Sequence, residues 1–249
     1  MIYFQQQAHH NLRDYVRCYW KLENKNEDAH SYTIFPDGFF DLLICYQNDR
    51  LEGVLLSGLW DQKTNVVIPP ETTIYGVQFR LLAAESVVQE DINLLLNDIK
   101  SLENSYLGLD EFKRSTDASF FEYLDQCLLA CIEKHDPINS GKSILLKSIN
   151  QTRGNQTVEY YSQKASLSKR QINRYFQSTF GLSLKGYCNI RKGAATFSQI
   201  SKGQLYPPQG YFDQPHYIKG IKKITGFTPK ALSKNEDGRF LQFSIIKNE

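Results

Sequence analysis

The chain has 249 residues, 41% apolar and 22% charged, with a net charge of +2; it is long enough for two domains of ordinary size, each with its own core. No stretch approaches the roughly 18 uninterrupted apolar residues of a membrane span. Five cysteines (Cys18, Cys45, Cys127, Cys131, Cys188) lack the spacing of a disulfide framework and fit reduced thiols in a cytosol. The near-neutral total hides a segregation: residues 1–138 carry 11 Lys and Arg against 22 Asp and Glu, a net of −11, while residues 139–249 carry 18 against 5, a net of +13. Such a split points to one half meeting a polyanion while the other does something else, and it places a domain boundary near 138/139.

The N-terminus, Met1 to His10, has no basic start followed by an apolar run, so no secretory leader is expected and the location is read as cytoplasmic. An amphipathic helix is expected around Leu12–Arg17. Cys18–Leu22, Ser31–Phe35, Phe39–Tyr46, Gly53–Trp60 and Thr72–Phe79 then read as short strands, rich in aromatic or β-branched residues and divided by turn signals such as Pro36-Asp37-Gly38 and Pro69-Pro70. Their spacing predicts a small barrel or sandwich. After Arg80 the pattern becomes helical over Ala84–Gln89, Ile92–Leu102 and Ser119–Lys134, the last ended by Asp136-Pro137, with Ile138–Lys142 as a linker.

The basic half carries the sharper signals. Thr157 can cap a helix running to about Ala165, and after a turn Ser168 with Gln171 three residues on forms a capping-box pair. The helix that follows reaches Phe180, with Gly181 as its left-handed stop. Ile172, Tyr175, Phe176 and Phe180 share one stripe; Arg170, Asn173, Arg174 and Gln177 share the opposite one. Arginine can fork onto guanine, Asn or Gln onto adenine, and the helix N-terminus with Lys169 can hold a phosphate. A solvated helix face would explain the charge alone, but not its joint occurrence with a short helix, a tight turn and a cap. Leu184 to about Ser201 reads as one long connecting helix, with Tyr187, Ile190, Ala194 and Phe197 inward. Asp213 can then cap a helix with Pro215 in its first turn and Gly226 at its end, turning Tyr217, Ile218, Ile221 and Ile224 inward and His216, Lys219 and Lys223 outward.

Residues from about 145 to 233, through LSKRQINRYFQSTFGLSLKGY and GYFDQPHYIKGIKKITGFTP, resemble the paired helix-turn-helix DNA-binding domain of the AraC family of bacterial transcription regulators. The resemblance implies two helices in successive major grooves. Their base-facing positions fall on Arg170, Asn173 and Arg174, and on Gln214, His216 and Lys219, with double-stranded DNA as partner. It also implies a homodimer, a role as activator or repressor, read as activator, with RNA polymerase as a further partner, and a cupin-like N-terminal barrel with adjoining helices that senses a small effector. YWKLE, IFPDGFFDLLI and GVQFR resemble an uncharacterised domain found in front of such readers. The expected fold class is therefore α+β, with residues 1–138 as sensor and dimerisation domain and 139–249 as an all-α reader.

The chain departs from the pattern at Leu205-Tyr206-Pro207-Pro208-Gln209. Paired prolines inside a helix cost about 3 kcal/mol each, so a shortened or irregular element is expected there. Gly220 costs roughly another 1 kcal/mol, and the second unit should lean on Lys219, Lys222 and Lys223 against phosphates.

In the acidic half, Asp37, Asp41 and Arg80 are candidates for a polar ligand site, against a turn cap with a structural ion pair; Trp20 and Trp60 are candidates to stack a ligand, against core packing. No catalytic residue, metal site or cofactor is expected. The histidines before the basic half (His9, His10, His30, His135) lack the spacing of a metal-dependent cupin enzyme, and no cysteine cluster suits a DNA-repair methyl acceptor. The remaining alternative is a degenerate regulator working through protein partners.

Overall fold

The computed structural model describes residues 2–88, 90–134, 138–208, 210–235 and 238–248, with backbone alone for 247 and 248. The first eighty residues form seven strands: β1 (Ile2–Gln6), β2 (Val16–Asn24), β3 (His30–Ile34), β4 (Phe40–Gln47), β5 (Arg50–Ser57), β6 (Thr64–Ile68) and β7 (Thr72–Phe79). With β8 (Ile99–Leu102) they make an antiparallel six-stranded sheet of order β1-β2-β7-β4-β5-β8 and a separate pair, β3-β6. The expected barrel is not closed. Among the described residues β1 and β8 lie at the edges of the sheet, and β3 and β6 form a pair apart from it, β3 gaining one further bridge from Thr33 to Phe240.

Alternation along β4 sets the layers. Phe40, Leu42, Ile44 and Tyr46 are buried against Tyr75, Val77 and Phe79 of β7, while Asp41, Leu43 and Cys45 are half-buried on the other face. The buried face is roofed by α2 (Asp117–Lys134), whose Phe120, Phe121, Leu124 and Leu128 fall at helical spacing. Phe120 meets Tyr75 edge to face at 4.7 Å, and Phe121 stacks on Tyr19 at 5.3 Å. On the opposite face the Trp20 indole lies across Gly76, where an added Cβ would stand 1.9 Å from the ring.

Two expected helices are corrected. Leu12–Arg17 is a single 3-10 turn (His10–Leu12) leading into β2, because Val16–Asn24 pairs along β7. Ile92–Leu102 is a 3-10 turn (Ile92–Leu95) followed by β8: Asn97 takes a left-handed φ of 60° and ends the helical course, and the open edge of β5 recruits Ile99–Leu102. Ala84–Gln89 shrinks to α1 (Ala83–Ser86), and Gln89 lies outside the described residues, as do His135 and Asp136-Pro137.

The basic half comprises α3 (Ser140–Thr152), α4 (Val158–Ala165), α5 (Lys169–Phe180), α6 (Leu184–Ala194), α7 (Phe197–Ser201), α8 (Gln214–Thr225), α9 (Pro229–Lys234) and α10 (Leu241–Asn248). The expected linker thus already contains the Asn139 cap and first turn of α3. The expected long connecting helix breaks at Ala195-Thr196, where the Thr196 hydroxyl and N–H both return to the Gly193 carbonyl. After α9 the chain comes back to the N-terminal half. Phe240 bridges Thr33, Gln242 exchanges hydrogen bonds with the Phe35 backbone at 2.8 and 3.2 Å, and the Phe35 ring is surrounded by Phe197, Phe227, Phe240 and Phe243. One hydrophobic core runs through both charge halves.

Candidate nucleic-acid interface

α4 and α5 are joined by a turn at Ser166, which takes a left-handed φ of 53°. Thr157 caps α4 through its hydroxyl, which accepts from Tyr160 N. Both arms of the box at Ser168 are present: Gln171 N donates to Ser168 Oγ (3.2 Å), and Ser168 N donates to Gln171 Oε1 (2.8 Å). Gly181 closes α5 with φ 72°. Ile172, Tyr175, Phe176 and Phe180 are buried, and Phe176 packs on Tyr187 of α6. The body of the protein therefore fixes which side of α5 faces out. That side presents Arg170, Asn173, Arg174 and Gln177, all exposed.

Lys169 is exposed as well, but its ammonium is paired with Glu159 of α4, whose carboxyl it holds below the usual range. It braces the two helices against each other. At the far end of α5, Gly181 sits on Asn93 and Leu96, so the acidic half supports the C-terminus of the helix and leaves its N-terminus free.

α8 is built alike: Asp213 caps it by accepting from His216 N (2.8 Å), Pro215 stands in the first turn, and Gly226 closes it with φ 79°. Tyr217, Ile221 and Ile224 are buried; Gln214, His216, Lys219, Lys222 and Lys223 are exposed. Two of the expected base-facing side chains are engaged locally. Gln214 Nε2 donates to the Leu205 carbonyl (2.9 Å), and His216 Nδ1 accepts from Phe212 N (3.3 Å). Lys219 and Lys223 line a cleft of about 410 Å³ between α6 and α8, floored by Leu182, Ile190 and Ile224. The segment from Lys202 to Asp213 is irregular, with Gln209 outside the described residues.

The five candidates in the acidic half do not share one pocket. Asp41 lies on β4 and accepts from Trp20 Nε1 (2.9 Å); Asp37 caps the turn before β4, accepting from Phe39 N (3.0 Å) and Gln78 Nε2 (3.1 Å). Arg80 turns away: its Nε donates to the Arg13 carbonyl (2.9 Å) and its Nη1 to Asn150 of α3. The cavity against Arg80 and Phe39 has only about 20 Å³, room for a water. Trp60 is half-buried after β5, and no ring contact joins it to Trp20 among the described residues.

The cation opposite Asp37 is one the sequence analysis did not name. Arg191 of α6 donates to the Asp37 carbonyl (2.7 Å) and lies over the Phe39 ring at 4.1 Å, while Tyr187 donates to the Gly38 carbonyl (2.9 Å). Arg17 covers Phe39 at 4.9 Å and donates to Gln78. A signal existed: Arg191 follows Tyr187 by four residues, on the buried stripe of its helix. Burial pushes the Asp41 carboxyl up to about 7, helped by the neighbouring Asp37 charge and opposed by Trp20 and Arg17. Burial raises Asp37 too, against Arg17 and Arg191. No cluster of three or more metal-ligating side chains occurs among the described residues, and no described helix is long and apolar enough to cross a membrane.

Residues 5–100 match the model of a domain of unknown function, DUF6597. No curated protein matches the chain. Among solved structures it is similar to ToxT from Vibrio cholerae. An apo variant of strain SCE256 aligns at TM-score 0.45 and 10% identity over 91% of this chain and 98% of that one. A second ToxT crystal form gives TM-score 0.46 and 11% identity over 86% and 97% of the two chains. The unsaturated fatty acid-bound wild-type ToxT gives 0.45 and 13% over 85% and 92%.

Proposed function

We propose that the protein is a sequence-specific DNA-binding transcription regulator of AraC type. α4–α5 and α7–α8 serve as two helix-turn-helix units, and residues 139–249 as the reader. One observation carries the reading. Arg170, Asn173, Arg174 and Gln177 stand together on the exposed side of α5, while its rings are locked into the body. An arginine buried under neighbouring protein could reach no groove; these are free to do so.

In this reading α5 lies in a major groove with Arg170 and Arg174 on guanine edges and Asn173 on adenine. Ser168 N-caps the helix whose N-terminus meets a phosphate. Lys219, Lys222 and Lys223 of α8 hold the backbone one helical turn away. Residues 1–138 act as the sensing and pairing half in a cytoplasmic homodimer. The Asp37–Phe39 turn, gripped by Arg191 and Tyr187, is the point where a change in the sheet would reach the reader.

The test is selection of bound duplexes from a random pool with the full chain, followed by anisotropy titration. Arg170→Ala with Arg174→Ala should weaken binding by about 1–3 kcal/mol per lost contact and relax base preference at the matching positions. Wild-type affinity should fall steeply between low and physiological salt. An unchanged selected motif in the double variant, or affinity indifferent to salt, refutes the reading.

A further inference from the structure

The loop that breaks the family pattern is braced at four backbone points. Gln199 Nε2 donates to the Tyr206 carbonyl (2.9 Å), Gln214 Nε2 to the Leu205 carbonyl (2.9 Å) and Lys192 Nζ to the Gly210 carbonyl (3.1 Å), while Phe212 N donates to His216 Nδ1 (3.3 Å). Pro207-Pro208 stiffens it further by fixing two φ angles. Yet its two outer rings stand largely in solvent: Tyr206 is 82% and Phe212 92% exposed, the most exposed large hydrophobic side chains among the described residues. Tyr211 between them is turned inward onto Tyr217 at 5.0 Å. Phe212 immediately precedes the Asp213 cap, and so stands at the N-terminal end of α8, the end that the proposed docking points at the duplex.

Two of the four bracing side chains, Gln214 and His216, are ones α8 would otherwise offer to bases. Both are spent on the loop, and Lys219 and Lys223 are suited to phosphates. The geometry points to a different mode of contact at the second unit. Phe212 packs on a thymine 5-methyl group in the major groove, and Tyr206 lies against the adjoining sugar–phosphate edge. The occupant is duplex DNA because Phe212 leads directly into α8, on which Lys219, Lys222 and Lys223 are exposed cations. A braced loop backbone loses little freedom on binding, and an apolar contact to the thymine methyl discriminates without a hydrogen bond. The second helix is thereby a shape and methyl reader.

This inference rests on the DNA-binding reading, and the experiment separates the two. Full-length wild type, Phe212→Ala, Tyr206→Ala and the Arg170→Ala/Arg174→Ala variant are titrated against the selected duplex. A second duplex carries deoxyuridine in place of thymine in the second half-site, which removes only the methyl. Both loop residues are solvated, so the single variants keep the fold, checked by circular dichroism. The expected results are an approximately tenfold loss for Phe212→Ala and a loss of about three- to fivefold for wild type on the uridine duplex. Phe212→Ala should bind the two duplexes equally, and Tyr206→Ala should weaken binding to both alike. Phe212→Ala affinity within twofold of wild type, or the same methyl dependence in both, overturns the inference even while Arg170→Ala/Arg174→Ala loses binding. A wild type without salt-sensitive duplex binding overturns both readings together.

Discussion

Replacing Arg191 with alanine tests whether α6 is fastened to the sheet by the contacts described. Arg191 is only 9% exposed, donates to the Asp37 carbonyl at 2.7 Å and covers Phe39 at 4.1 Å. Losing a charged donor and leaving that carbonyl unpaired costs about 1.5–3 kcal/mol. Losing a partly desolvated cation over a ring costs about 1–2 kcal/mol more. Against this stands relief of like-charge repulsion, since Arg191 lies near enough to Arg80 to lower its pKa alongside burial; roughly 1 kcal/mol is recovered there. The net is a destabilisation of about 3 kcal/mol, a fall in thermal midpoint of roughly 6–12 °C for a chain of this size. Urea unfolding followed by tryptophan fluorescence and circular dichroism measures it. Arg191→Lys should lose part of the effect, because an ammonium keeps charge without the planar fork. A change below about 1 kcal/mol for the alanine variant would refute the claim that this contact fastens the halves.

Two further outcomes follow from the same geometry. Asp41, pushed up to about 7 mainly by burial, is held protonated in the fold at a pH where the unfolded chain ionises it. Its contribution is therefore fully present below about pH 4 and is lost as pH rises through 7. Asp41→Asn should flatten the stability–pH profile between pH 4 and 7 and leave the variant about 2–4 kcal/mol more stable than wild type near pH 8, read from urea midpoints; a profile parallel to wild type would contradict it. Ser168→Ala removes the cap of α5 and should lower stability by about 0.5–2 kcal/mol while weakening duplex binding; unaltered stability would mean the box contributes nothing.

Much of the candidate interface was legible because its causes are local. A capping box spans four residues, a helical stripe repeats every three or four, and a glycine stop needs only its own φ; α4, α5 and α8 follow from such terms. β2, β4 and β7 were legible through alternation and aromatic content. β6 and β8 were not, since each is short and owes its state to an open partner strand. The broken connecting helix at Thr196 likewise hinges on a side-chain hydrogen bond that competes with the helical one. The loss of Gln214 and His216 to the loop was hidden for a related reason: residue type gives a side chain's capacity to read a base, not whether a neighbouring carbonyl or N–H has already taken it.

The sequence by itself determined the split of charge, the polar and apolar sides of α5 and the irregular loop at Pro207-Pro208, each set by residues within a few positions of one another. Only the tertiary structure decided that the sheet stays open, that Phe240 returns to β3 and that Arg191 meets the Asp37 backbone 154 positions away. Such contacts depend on where two distant surfaces come to rest, and packing of the whole core, rather than any local preference, settles that.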